Sequence, residues 1–371
     1  LKKKVAFIIS DIDRSLAFEW IVNYIDKKQF EISFILLNSG NSHLEKFLIQ
    51  QQIPVYHVLC RGKKDWVRVW FQLWNILRMQ AFDVVHCHLF TASILGLTAA
   101  KMAGIKNRIY TRHHSDFHFR YFPKGVKWDR MCNHLATKII APSKAVISVL
   151  TDREKVAPSK ISLIHHGFDL EYFKNVPVEV KEMVSLQYNP HKQYPVIGII
   201  SRFTELKGIQ FIIPAFKKLL SQYPNALLLL FNAQGDYKQN IERMLQELPQ
   251  QNYLTITFEP ELAAVYSLFD VFIQASTDTT IESFGQTYIE ALVSGVPSVF
   301  TLAGVAGEFI VDGKNALVVP FNDSDAIFEK INILLENKDL RNHLILEGEK
   351  SIKELFSIEK MVTKYSELYK N

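Results

Sequence analysis

The sequence predicts an α/β protein made of two doubly wound domains, and three observations carry that expectation. The chain has 371 residues, more than one ordinary core of roughly 100–200 residues accommodates. Short β-branched runs alternate with longer amphipathic stretches in both halves, the pattern of parallel strands with helices on both faces. Residues 173–194, with Pro177, Pro190 and mixed charge, interrupt that alternation just before Pro195. The expected division is therefore 1–172 and 173–354, with a C-terminal helix of about 355–371 free to pack back on the first domain.

The first strand is expected at 5–10. The lysines before it invite a signal-peptide reading, but the apolar run is short and Ser10-Asp11 ends it. Helices follow at 15–26, 42–52, 64–79 and 91–103. Strands separate them at 30–37, 54–59 and 84–88, with two more at 108–111 and 138–141. After the break, strands are expected at 196–201, 226–231, 254–257, 271–274, 298–301 and 315–319. Helices are expected at 208–222, 240–248, 261–268, 286–294, 323–336 and 338–370. In such sheets, ligands bind beyond the carboxyl ends of the strands, so the loops there should carry the chemistry.

Composition narrows the function classes. Hydrophobic residues at 48% and charged residues at 22% are those of a globular protein. No run approaches the roughly 18–20 apolar residues that span a bilayer. Cys60, Cys87 and Cys132 form no CxxC, which argues against a disulfide framework or zinc cage and fits a reducing cytoplasm. Residues 1–172 hold 25 basic and 14 acidic side chains, net +11, whereas the remainder is net −6. A basic half suits a polyanionic partner, nucleic acid or an anionic membrane; an ordinary solvated surface is the plainer reading.

Two loops carry the strongest chemical signal. Residues 276–300 read STDTTIESFGQTYIEALVSGVPSVF. Gly285 falls where a helix should begin after the strand 271–274. A helix N-terminus offers unpaired N–H groups and positive potential, a seat for phosphate. Glu282 lies in the loop and Glu290 inside the helix. One carboxylate is placed to hold a hydroxyl-rich ring, the other a ribose. The second loop, Ser201-Arg202-Phe203-Thr204-Glu205-Leu206-Lys207-Gly208, puts two cations where a departing diphosphate would need them. Without further context, these are equally surface residues and a solvent-facing Glu pair.

Together the segments resemble retaining glycosyltransferase family 4. Glu282-Ser-Phe-Gly-Gln-Thr-Tyr-Ile-Glu290-Ala-Leu-Val-Ser-Gly-Val-Pro is similar to its E-x7-E signature, with Ser283 at a usual glycine. Residues 201–208 resemble its G-R-x-x-x-x-K-G. Asp83-Val-Val-His86-Cys-His88 resembles D-V-V-H-x-H. Residues 164–169 resemble I-x-N-G-x-D, with His166 for Asn, and residues 303–313 resemble the late loop ending E-x-x-x-D-G. The resemblance implies a GT-B type fold, two Rossmann-like domains separated by a cleft. It implies Glu282 on donor-sugar hydroxyls, Glu290 on ribose, and Phe284, Gly285, Gln286 and Thr287 around sugar and diphosphate. Arg202 and Lys207 would stabilise the leaving group. The family's first loop is Gly-rich; here residues 10–15 contain none, so Arg14 or Ser15 would meet phosphate with side chains. The loop 231–235 likewise lacks the usual Gly-x-Gly.

Ten of the twelve histidines precede residue 173, so any histidine chemistry belongs to the first half. The resemblance assigns His113, in T-x-H, to the donor sugar or to the back of the reacting centre, with the neighbouring His114 able to swap roles. A rival enzyme reading takes His86, His88 and His113, with His114 and His118 nearby, as a metal cluster of a metal-dependent hydrolase. It leaves the loops above unexplained. Asp11-Ile12-Asp13 is formally a DxD clamp and is discounted, because cationic side chains already serve the diphosphate. The expectation is thus a retaining, metal-independent glycosyltransferase with no cofactor beyond a nucleotide-sugar co-substrate, UDP being the family's commonest. A non-catalytic nucleotide-sugar-binding protein is the other alternative. Residues 63–74 place Trp66, Trp70 and Trp74 beside Lys63, Lys64 and Arg68, and 117–130 add aromatics and cations. This suits either a membrane interface or a helix packed on a sheet. The expected acceptor is a lipid-linked or cell-surface glycan, as in polysaccharide biosynthesis. The expected setting is the cytoplasm, peripheral on the inner membrane face, without nucleic acid.

Overall fold

The computed structural model describes residues 2–370, which form two compact units. One runs up to Phe168 and resumes at Ile358; the other is Asp169–Ser357. The sequence placed these boundaries at 172 and near 355.

The first unit holds β1 (Lys3–Ser10), β2 (Phe30–Leu37), β3 (Val55–His57), β4 (Val84–His88), β5 (Asn107–Thr111), β6 (Lys138–Ala141) and β7 (Ile161–Leu163). They form one sheet in the order β3-β2-β1-β4-β5-β6-β7, with every neighbour parallel. Helices cover both faces, so the central strands are apolar along their length rather than alternating. Val5 to Ile9 are fully buried. The register sets Ile9 beside His88, and His88 beside Thr111, which gathers polar side chains at the carboxyl end.

The helix Ile358–Lys370 completes this unit's core. Ile358, Met361, Val362, Tyr365, Leu368 and Tyr369 are buried at helical spacing. Tyr369 sets its ring edge-on to Phe7 and Phe30, and its hydroxyl lies 2.7 Å from His86 Nδ1. The sequence read 338–370 as one helix. It is two, Lys338–Leu355 and Ile358–Lys370, separated at the buried Phe356.

In the second unit, β8 (Val196–Ile200), β9 (Leu227–Phe231), β10 (Tyr253–Ile256), β11 (Val271–Gln274), β12 (Ser298–Phe300) and β13 (Leu317–Val318) form a parallel sheet in the order β10-β9-β8-β11-β12-β13. Residues 173–194, expected as an irregular break, contain the helix Val178–Tyr188. Pro177 stands at its N-cap and Pro190 follows its C-cap Asn189. Prolines at those positions bound a helix without breaking it.

The tryptophan-rich segment is the helix Trp66–Gln80, which buries Val69, Leu73 and Leu77. Trp66, Trp70 and Trp74 pack half-buried against the core, and the Trp70 indole N–H donates to Thr98 Oγ1 at 3.1 Å. The outer face leaves Val67 and Phe71 exposed. Among the described residues, no helix is long and apolar enough to cross a membrane.

Candidate active site

All strands of the second sheet run parallel, but the order in which they are added reverses between β8 and β11, and in such sheets the loops after the two strands at that switch point are where ligands bind. The two loops predicted to carry chemistry, 201–208 and 275–285, are these. They are stitched together: the Thr277 N–H donates to the Leu206 carbonyl at 3.0 Å. Gly208 has φ +68°, and a Cβ there would lie 1.8 Å from the Ala275 carbonyl oxygen. No residue but glycine fits so close an approach.

This stitching brings the Lys207 ammonium onto Glu282 as an ion pair. The same carboxylate oxygen accepts from Ser276 Oγ at 2.8 Å and, more weakly, from Gln274 Nε2 at 3.4 Å. Burial opposes ionisation of Glu282, but Lys207, through its charge and hydrogen bond, together with Ser276 and Gln274, holds the carboxyl below its usual range. Glu282 is thus a preorganised anion. Gln274, the last residue of β11, also accepts from the Thr287 hydroxyl, so one amide links the carboxylate to the next helix.

That helix is Gln286–Val293, with Gly285 at its N-cap (φ +93°) and no side chain capping it. The first N–H groups are therefore left for another acceptor. The turn is pinned from behind, where the Val305 N–H donates to the Phe284 carbonyl at 2.9 Å. The Phe284 ring is buried edge-on to Phe356, so this residue has only its backbone to offer a ligand. Gln286 is exposed and Thr287 half-buried. Glu290 accepts from the Tyr266 hydroxyl at 2.7 Å, and burial pushes its carboxyl up to about 7. Arg202 is exposed. Lys207 and Glu282 touch; Arg202 follows the same strand as Lys207, and Glu290 stands further along the helix on its own partner. Sequence reading missed Gln274, Ser276 and Tyr266. A glutamine ending an apolar strand was the one visible signal.

In the first unit, Arg14 is exposed and Ser15 precedes the helix Leu16–Tyr24 without capping it through its side chain. Asp13 of the formal DxD is engaged by His43, whose Nδ1 lies 2.9 Å away. His113 Nε2 lies 3.0 Å from His88 Nδ1, and its ring stacks on His166 at 5.6 Å. His86 spends both nitrogens, one on Thr111 Oγ1 at 2.8 Å and the other on Tyr369. Burial drives His86 down to about 3 and His166 to about 4, and holds His88 and His113 well below the ordinary range.

A metal cluster on His86, His88 and His113 is therefore not what the chain builds, because the lone pair of His86 is already taken. Among the described residues, the potential ligand atoms that do converge belong to His114, His118 and Asp129. They too are mutually satisfied. His114 Nε2 at 3.2 Å, His118 Nδ1 at 2.6 Å and Arg112 Nη2 at 3.1 Å all reach the same Asp129 oxygen. A guanidinium on that oxygen opposes a cation.

Known proteins resemble the chain along most of its length. Residues 21–172 match the family model described as Glycosyltransferase Family 4, and residues 182–351 match Glycosyl transferases group 1. The chain is 26% identical over 297 residues to an alpha-monoglucosyldiacylglycerol synthase of Acholeplasma laidlawii, covering 75% of this chain and 72% of that protein. It is 26% identical over 359 residues to the capsular polysaccharide biosynthesis glycosyltransferase CapM of Staphylococcus aureus, covering 91% and 88%. Among solved structures, Anabaena HepE in complex with UDP and glucose superposes with a TM-score of 0.83 over 98% of each chain at 18% identity.

The turn at Gly285 has a direct test. A Cβ there would stand 2.4 Å from the Tyr288 ring at positive φ, so Gly285→Ala should cost about 2 kcal/mol or more. Gly40→Ala, which meets nothing within 4 Å, serves as the control. Urea midpoints should separate the two variants; equal midpoints would show that the turn is not constrained.

Proposed function

The chain belongs to glycosyltransferase family 4 and has the GT-B fold, and from that premise we propose a retaining, metal-independent transfer from a nucleotide-diphosphate sugar to an acceptor hydroxyl. The observation that carries the reading is the Lys207–Glu282 ion pair beside the uncapped helix start at Gly285. An arriving diphosphate gives Lys207 a second anionic partner, with Arg202 and the N–H groups of residues 285–287 as further donors. Glu282, kept ionised, accepts hydrogen bonds from sugar hydroxyls. As the sugar departs with oxocarbenium character, the negative charge growing on the diphosphate meets donors already in place. The acceptor hydroxyl attacks from the same face, and the leaving phosphate oxygen takes its proton. HepE complexes with UDP and with UDP-glucose support a UDP-sugar donor.

The acceptor is proposed to be a glycan or lipid-linked glycan taken by the first unit at the inner face of a membrane. Relatives named for a glucosyldiacylglycerol and for capsular polysaccharide support that class. Val67 and Phe71 stand exposed beside Lys63, Lys64 and Arg68, and Phe117, Tyr121 and Trp128 beside Lys124 and Lys127. Such mixtures place rings at headgroup depth and cations on anionic lipid.

Glu282→Ala should lower UDP-glucose turnover by roughly 10²–10³-fold or more while leaving nucleotide affinity largely intact. Glu290→Ala should instead weaken UDP-glucose binding by about tenfold, the scale of one lost hydrogen bond to a charged group. The Glu290 carboxyl, raised to about 7, is mostly protonated at pH 6 and ionised at pH 8. Only the carboxylate accepts from both ribose hydroxyls, so calorimetry should find tighter UDP-glucose binding at pH 8, a gain absent from Glu290→Ala. The opposite division of effects between the two variants would refute the assignment. Turnover should persist in EDTA, and its loss there would refute metal independence. Vesicles containing anionic lipid should capture the protein at low ionic strength, Val67→Ser/Phe71→Ser should weaken capture, and absence of wild-type binding would remove the membrane from the proposal.

A further inference from the structure

Two neutral imidazoles and one unpartnered nitrogen fix a proton position in the first unit. His88, the last residue of β4, is buried between aromatic rings, stacked over Phe7 at 5.9 Å and perpendicular to Phe18 at 4.9 Å. Its Nδ1 faces His113 Nε2 at 3.0 Å. Its Nε2 is buried with no hydrogen-bond partner among the described residues. Burial keeps both rings in the neutral form, so each carries a single N–H. The 3.0 Å contact then holds one proton, donated by one ring or the other.

The two arrangements differ in what they leave at His88 Nε2. If His113 donates, the His88 proton must sit on Nε2, a donor sealed in an aromatic pocket without an acceptor. If His88 donates from Nδ1, Nε2 keeps only a lone pair. Orphaned buried donors are the rarer and costlier case. The proton of His113 is then excluded from Nε2 and lies on Nδ1. That atom is not sealed as His88 Nε2 is: His113 is half-buried and lines a cavity of about 200 Å³ together with Leu89, Phe90 and Ser93, where solvent or a ligand can accept its proton.

We propose that His88 is a positioning residue that sets the tautomer of His113, donating from Nδ1 so that His113 presents Nδ1–H to a substrate oxygen. This rests on the functional reading above for what His113 meets, but not for where its proton lies. His113 then acts as a hydrogen-bond donor with fixed polarity, not as a base. The device works through geometry, because the strand ends of β4 and β5 are adjacent and in register. His166, stacked on the far face of His113 at an interplanar angle of 9°, keeps the ring from rotating out of that plane.

The test is a long-range proton–nitrogen correlation spectrum of histidine-labelled protein, with His113 assigned from His113→Gln. It should show the His113 proton on Nδ1 in the wild type and in His88→Asn, whose amide still offers a donor. His88→Leu should lose the bias. With UDP-glucose as probe, His88→Leu should lower kcat about tenfold with KM nearly unchanged, and His88→Asn should stay within about threefold of wild type. A wild-type His113 protonated on Nε2 overturns the proposal, as does a folded His88→Leu with wild-type kcat. Should His88→Leu fail to fold, the wild-type and His88→Asn spectra decide. If the wild type turns over no nucleotide sugar, the functional reading falls and the tautomer assignment is still judged by the spectra.

Discussion

A carboxylate buried where the strand order of a parallel sheet switches sides must keep a cation beside it to stay ionised, and the second unit is arranged around that requirement. An unpaired buried charge costs several kcal/mol, so Glu282 depends on Lys207, and Lys207 depends on the loop that carries it. The Thr277–Leu206 hydrogen bond and the glycine at 208 hold the two loops at the spacing the pair needs. Gln274 passes the arrangement on to Thr287 and the helix behind Gly285. The result is an anion, a cation and a set of unspent N–H groups fixed in place before any ligand arrives. Such preorganisation is what stabilises charge that develops during a reaction.

The first unit uses burial differently. Its sheet ends carry imidazoles that desolvation keeps neutral, so they work as hydrogen-bonding groups of definite direction. His86 is consumed by Thr111 and by Tyr369 from the last helix, while His88 and His113 share one proton. Close by, Asp129 collects Arg112, His114 and His118 on a single oxygen.

Much of this was legible in the sequence, for physical reasons. Strands buried on both faces, such as β9 with its run of leucines, announce themselves as continuous apolar runs. The two chemical loops were legible because their glycines and charges have little other use at strand ends. The helix Val178–Tyr188 was not legible, since prolines that bound it read as breaks. Tyr266 under Glu290 and Tyr369 on His86 were also invisible: the latter pair is separated by 283 residues, and no local pattern marks such a partner. The tryptophans were ambiguous at helical spacing, and the structure resolves them as half-buried packing beneath an outer face of Val67 and Phe71.

The central claim is that a nucleotide-diphosphate sugar is held by the Lys207–Glu282 pair at the uncapped helix start. A crystal structure of the protein with UDP-glucose tests it most directly. The account predicts the diphosphate on Lys207 and the N–H groups of residues 285–287, with the Glu282 carboxylate on a hexose hydroxyl. A nucleotide sugar seated elsewhere, with the Lys207–Glu282 pair unchanged and touching no ligand, would contradict it.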